Sequence, residues 1–285
     1  MRKSFAAAIF VFCAAVSSSS QVKQFNINFQ GVVGDRVFDC HDTYEGIGTT
    51  GSTMTVSDFR FYVQDVRLID KKGTETPLSL IKDGQFQTEK VALLDFENGL
   101  GTCTNGTKET NYSIRGTAPK GDYVGFKFLI GVPEELNHLD PTLQPSPLNL
   151  TRMMWSWQMG FKFARIDTKT TGRPNGYVLH LGSTECKGEK GSAIVCGKAN
   201  RPEFTFEKFD LQKDTAIFDL KALFAGTNVD INQEKTAAGC MSFEGDSDCL
   251  PVFKNLGLPF GGTQAGKQSV VRAGKAFKAV ARAGE

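Results

Sequence analysis

The feature that most constrains this chain is the alternation of apolar and polar side chains along many short segments. In Gln24-Phe25-Asn26-Ile27-Asn28-Phe29 every second residue is apolar, the period of a strand with one face buried. In residues 58–68 the alternation runs through Phe59, Phe61 and Val63 and restarts on Val66 and Leu68, so the spacing predicts a β-bulge near Gln64 and Asp65. Similar segments predict strands at 91–96, 112–115, 125–132, 153–166, 176–181, 204–209 and 215–220. Pro133-Glu134-Glu135 predicts one or two helical turns that end before Pro141. The fold class expected is therefore all-β, an antiparallel β-sandwich with long loops, short helical turns and disulfide staples.

The expected compartment comes from the start of the chain. Met1-Arg2-Lys3, the apolar run from Phe5 to Val16 and the small residues after it have the layout of a secretory signal peptide over 1–20. Phe12 before Cys13 speaks against a lipid anchor, and no apolar run reaches the roughly 20 residues of a membrane span. The mature protein is expected to be periplasmic or secreted, with one domain over 21–260 and a flexible or weakly helical tail over 261–285.

Beyond the leader stand Cys40, Cys103, Cys186, Cys196, Cys240 and Cys249, an even number in an oxidising compartment. Cys186 and Cys196 flank a Gly- and Lys-rich turn, Cys240 and Cys249 flank an acidic one, and these local pairs leave Cys40 to join Cys103. A closed loop of that size is worth roughly 4 kcal/mol in the chain-entropy model, against about 2.5–3 for the short ones. The absence of Cys-x-x-Cys and the presence of only three histidines weigh against a zinc site. A formal charge of +2 without a basic, aromatic-interleaved run gives no expectation of nucleic acid. With no Gly-x-Ser-x-Gly, His-Glu-x-x-His or Cys-x-x-Cys-His motif, no enzyme is expected. Asp246 and Asp248 could serve Ca²⁺, although a solvated turn is the simpler expectation.

The chemistry concentrates in Met153-Met154-Trp155-Ser156-Trp157-Gln158-Met159-Gly160-Phe161-Lys162-Phe163, which holds both tryptophans. As one strand it puts Met153, Trp155, Trp157, Met159, Phe161 and Phe163 on one face. On pattern alone such a face is core, and the chain would then be a secreted adhesion or structural module. Thioether and imidazole, however, suit Cu(I), and His138 and His180 could converge here. Each has an ordinary alternative, a solvated turn residue and a satisfied core histidine respectively. His41 is least tied to the segment.

The pieces 58–63, Leu136-Asn137-His138, 146–150, 154–163 and His180-Leu181-Gly182-Ser183-Thr184-Glu185-Cys186 occur in an order that resembles the MbnP-like proteins, the metallo-mystery-pair four-Cys family, over about residues 25–253. The resemblance implies a periplasmic copper-binding protein encoded beside a dihaem cytochrome c peroxidase-like (MbnH-like) partner. That partner oxidises a tryptophan of the binder to kynurenine, after which copper is held with histidine help. By position the ligand candidates are His138, His180 and Trp155, with Met153, Met154 and Met159 as accessory donors. Trp155 or Trp157 would be modified, Trp155 being slightly preferred. Two departures stand out. Gln64 lies in a strand where relatives carry a histidine, and six cysteines replace four, which implies an added bridge.

Overall fold

The computed structural model describes residues 21–104, 106–189 and 193–278. The signal peptide expected over 1–20 lies outside the described residues. Two large sheets carry the fold. The first runs in the order Val271–Gly274, Thr215–Asp219, Val22–Val33, Ser113–Pro119, Ser79–Leu80. The second is built on a long strand, Ser52–Asp70, whose first half pairs with Ala164–Thr170 and second half with Tyr123–Ile130. Tyr177–Leu181 extends it beyond Ala164–Thr170, Glu203–Phe206 beyond Tyr123–Ile130, and Val91–Asp95 pairs with residues 60–64.

The period-2 residues face inward as expected: Phe25, Ile27 and Phe29 are buried while Gln24, Asn26 and Asn28 are exposed. Rings join the sheets, Phe29 meeting Phe128 edge-on with centroids 5.5 Å apart and Phe61 lying 4.8 Å from Phe218. The bulge falls where the interrupted alternation puts it, with a register shift between Gln64 and Arg67 and Asp65 at φ 46°. All three expected disulfides are present. Among the described residues no helix is long and apolar enough to cross a membrane.

Three expectations need correction. The sandwich is not wholly antiparallel, since Val22–Val33 pairs in parallel with Thr215–Asp219; residues 34–214 lie between them and supply the crossover a parallel pair requires. Residues 261–278 are not a loose tail. Val271–Gly274 pairs with Thr215–Asp219, and the Gln268 side-chain amide donates to the Leu256 carbonyl at 3.1 Å, so this segment covers an otherwise open edge. The segment 153–166 is not one strand either, as described below. The structure adds a helix at Cys249–Leu256, where Cys249, Val252, Phe253 and Leu256 repeat at helical spacing and are buried, and Gly257 caps it in the left-handed conformation at φ 75°.

Candidate metal site

The tryptophan segment folds as a tight hairpin rather than a strand. A 3₁₀ turn at Thr151–Met153 leads into Met154–Ser156, which pairs with Gly160–Phe161 around a turn. The reversal has local causes. The Ser156 hydroxyl accepts from the Met159 amide at 3.2 Å. Gly160 adopts φ 77°, and a Cβ there would fall 2.6 Å from Nδ2 of Asn137, so a side chain meets both backbone strain and a clash. The face expected to be shared is consequently split. Met153 and Met154 are buried in the core, Trp155 and Met159 are half-buried, and Trp157 is 39% exposed.

Trp155 lies against the residue two places beyond His180. A Cβ on Gly182 would fall 2.4 Å from Cζ3 of Trp155 and 2.8 Å from Cη2, so only glycine leaves room for the indole as it sits. Phe243 closes another side, ring centroids 5.9 Å apart. Gly182 follows directly on Tyr177–Leu181, so the indole packs against the chain just beyond the strand end that carries His180. The indole Nε1 is buried with no hydrogen-bond partner.

His180 is the penultimate residue of Tyr177–Leu181 and is 8% exposed. Its Nε2 lies 2.7 Å from Oδ1 of Asp167; the carboxylate accepts, so the proton is on Nε2 and Nδ1 keeps its lone pair. Nδ1 is buried and unpartnered. Burial pushes the imidazole pKa below its ordinary value, outweighing the upward pull of Asp167. A neutral imidazole of defined tautomer with a carboxylate behind it is the usual arrangement of a metal-binding histidine.

Strand register assembles this support. Arg165 stands opposite both His180 and Arg60, and Asp167 stands opposite Asp58. Arg165 donates through Nε to Asp167 Oδ2 at 2.9 Å and its Nε lies 3.2 Å from Asp58 Oδ2, while Arg60 pairs with Asp58 through Nε at 2.8 Å. Arg60 and Asp58 are buried. Burial favours the neutral form of Asp167, but hydrogen bonds from His180 and Arg165 outweigh it and hold the carboxyl near 2.

His138 follows the one-turn helix Glu134–Asn137 and belongs to another set of contacts. Its Nδ1 lies 3.0 Å from the Trp157 carbonyl and so donates to it. Nε2 therefore carries the lone pair and faces the Asn137 amide at 3.1 Å and Cys196 Sγ at 3.3 Å. Asn137 is itself fixed, because its Oδ1 accepts from the Phe161 amide at 3.0 Å. Burial lowers the His138 pKa. His138, Cys186 and Cys196 form a group whose ligand atoms all lie within 4.8 Å of one another, but the sulfurs are bonded to each other as a disulfide. Among the described residues, the hydrogen-bond partners of the His138 ring and of the His180 ring have no residue in common. Asp246 and Asp248 are engaged within their loop, Asp246 Oδ1 accepting from the Asp248 amide and Asp248 Oδ2 from the Gln233 amide.

The MbnP family model matches residues 22–242 of this sequence. The chain belongs to the MbnP family. The structure of MbnP from Methylosinus trichosporium superposes with a TM-score of 0.80 at 27% identity, covering 90% of this chain and 99% of that one. A search of curated proteins gives no match.

Two residues that shape this arrangement, Asp167 and Gly182, are not among those the sequence singles out. The polar alternation Arg165-Ile166-Asp167 marks a half-polar strand, but only the register shows that its carboxylate faces His180. Gly182 carries no signal beyond being a glycine after a strand. Gln64, the position where the resemblance implies a histidine in relatives, is buried with its Nε2 unpartnered; an amide nitrogen donates and has no lone pair for a metal.

Proposed function

We propose that this chain is an exported copper-binding protein, and not itself an enzyme, whose site is completed when a dihaem cytochrome c peroxidase-like partner oxidises Trp155 to kynurenine. Membership of the MbnP family supports the copper-related role, and the disulfides fit an oxidising, periplasmic compartment. The observation that carries the residue assignment is the placement of two buried, unpartnered ring nitrogens: Trp155 Nε1, and Nδ1 of His180 two residues from the glycine the indole covers.

The chemistry follows from what each nitrogen can do. Nδ1 of His180 is a neutral donor whose proton-bearing partner nitrogen is held by Asp167. The indole N–H can only donate, and its lone pair belongs to the ring. Oxidative cleavage of the indole C2–C3 bond adds two oxygen atoms, one to each carbon, drawn from two equivalents of peroxide, each of which leaves one water. Hydrolysis of the resulting formyl amide then releases formate and leaves an aromatic amine with an available lone pair. Imidazole and arylamine together make a nitrogen pair suited to Cu(I) as cargo. Met153 and Met154 are occupied in packing, and half-buried Met159 is the remaining thioether near the turn.

Competition titration with a chromophoric Cu(I) chelator, before and after treatment with the partner and peroxide, tests this reading. Affinity rises on treatment in the wild type and in Trp157→Phe, and fails to rise in Trp155→Phe. A rise that persists in Trp155→Phe contradicts the assignment, and no rise in an oxidised wild type contradicts the mechanism.

A further inference from the structure

We infer that the Cys186–Cys196 disulfide is a masked ligand pair, and that its reduction opens a second soft-metal site made of two thiolates and Nε2 of His138. Three observations converge. The two cysteines stand directly opposite one another on the hairpin formed by Thr184–Lys187 and Val195–Lys198. His138 reaches this hairpin from a separate part of the chain, with Nε2, its lone-pair nitrogen, 3.3 Å from Cys196 Sγ. All three ligand atoms lie within 4.8 Å of one another.

The geometry needs little change. With metal–sulfur and metal–nitrogen distances of about 2.3 and 2.0 Å, a trigonal S₂N set requires edges of roughly 3.7 Å for N···S and 4 Å for S···S. The His138–Cys196 edge, at 3.3 Å, is close to that already, Cys186 Sγ lies within 4.8 Å, and once the S–S bond is cut, rotation of the cysteine side chains opens the S···S edge. The donor set is soft and three-coordinate, which selects Cu(I). The Trp157 carbonyl holds Nδ1–H of His138, so Nε2 presents its lone pair, and the metal replaces only the hydrogen bond from Asn137.

Burial makes the bridge selectively reducible. Cys40, Cys103, Cys240 and Cys249 are all at most 2% exposed, whereas Cys186 and Cys196 are half-buried. A dithiol reductant must bring its thiolate to a sulfur atom, so it reaches the hairpin bridge first. The step balances: the dithiol is oxidised to its own disulfide, its two electrons and two protons convert the bridge to two thiols, and Cu(I) then displaces those two protons.

This site is separate from the one proposed above. The full mature chain is treated anaerobically with mild dithiothreitol, the reductant is removed, free thiols are mapped by alkylation and mass spectrometry, and Cu(I) is titrated against a chelator. The expected result is alkylation at Cys186 and Cys196 with the other four cysteines protected, about one further equivalent of Cu(I), and an ultraviolet sulfur-to-copper charge-transfer band. His138→Ala weakens that equivalent at least about tenfold. The double variant Cys186→Ser/Cys196→Ser, altered only in an exposed hairpin, lacks it while keeping the wild-type circular dichroism. Trp155→Phe and His180→Ala keep it, which separates its failure from failure of the tryptophan site. Reduction elsewhere first, no further equivalent, or a further equivalent unaffected by His138→Ala overturns the inference.

Discussion

At the scale of single residues the account turns on contacts that tolerate no substitution. Gly182→Ala places a methyl within 2.4 Å of the indole, and something must move. The half-buried indole is the neighbour able to move, toward solvent. Red-shifted tryptophan emission, with partner-dependent copper binding weakened about tenfold or more, is the expected outcome; unchanged emission would mean that the indole is not held there. His180→Ala removes the free Nδ1 and leaves Asp167 with Arg165 as hydrogen-bond donor. The variant is expected to fold and to lose Cu(I) affinity, which a chelator competition reads directly. An unaltered affinity in a folded variant would take the imidazole out of the site.

At the scale of elements the tight hairpin and the charged strand face make their own predictions. Gly160→Ala pushes a left-handed position and a clash with Asn137 onto one residue. About 1–2 kcal/mol is expected from the backbone alone, read as a lower denaturant midpoint. Asp95 sits on Val91–Asp95 opposite Arg60. Burial drives its carboxyl up to about 8 although Arg60 pulls it down. Its folded pKa is thus above the unfolded one, so its stabilising contribution is complete below the ordinary carboxylate range and disappears as pH rises through about 8. Asp95→Asn is expected to flatten the decline in melting temperature between pH 4 and 8, and parallel profiles for variant and wild type would contradict this. Asp167 has the opposite sign: held near 2, it contributes above pH 4 and the contribution is lost as pH falls toward 2.

The elements also show what could be read before the structure. Alternation marks most strands and the bulge at Gln64 and Asp65, and Pro133-Glu134-Glu135 marks the short helix, because those depend on local pattern. The same alternation misled over 153–166, where Gly160 and Ser156 turn the chain and the period-2 reading had no way to register a glycine at φ 77°. Imidazole, thioether and indole side chains are plain in the sequence, yet nothing local tells that His138 meets a disulfide while His180 meets Asp167. Those partners arrive from 13 to 58 residues away, through strand register and loop packing.

At the scale of the whole molecule two twisted sheets, closed by Phe–Phe contacts and by bridges at three places, hold the tryptophan hairpin against the end of Tyr177–Leu181. Removing the Cys40–Cys103 bridge, which spans 63 residues, is expected to cost roughly 4 kcal/mol in a chemical denaturation curve, more than removal of the half-buried Cys186–Cys196 bridge. The central claim is that one of two nearby tryptophans is destined for oxidation by its surroundings, and peptide mapping by mass spectrometry after reaction with the dihaem partner and peroxide tests it most directly. The peptide containing residues 153–163 should gain about 4 Da, one carbon exchanged for one oxygen, with fragment ions assigning the change to Trp155 and Trp157 intact. The same gain on Trp157, or an unchanged peptide beside a demonstrably active partner, would contradict the account.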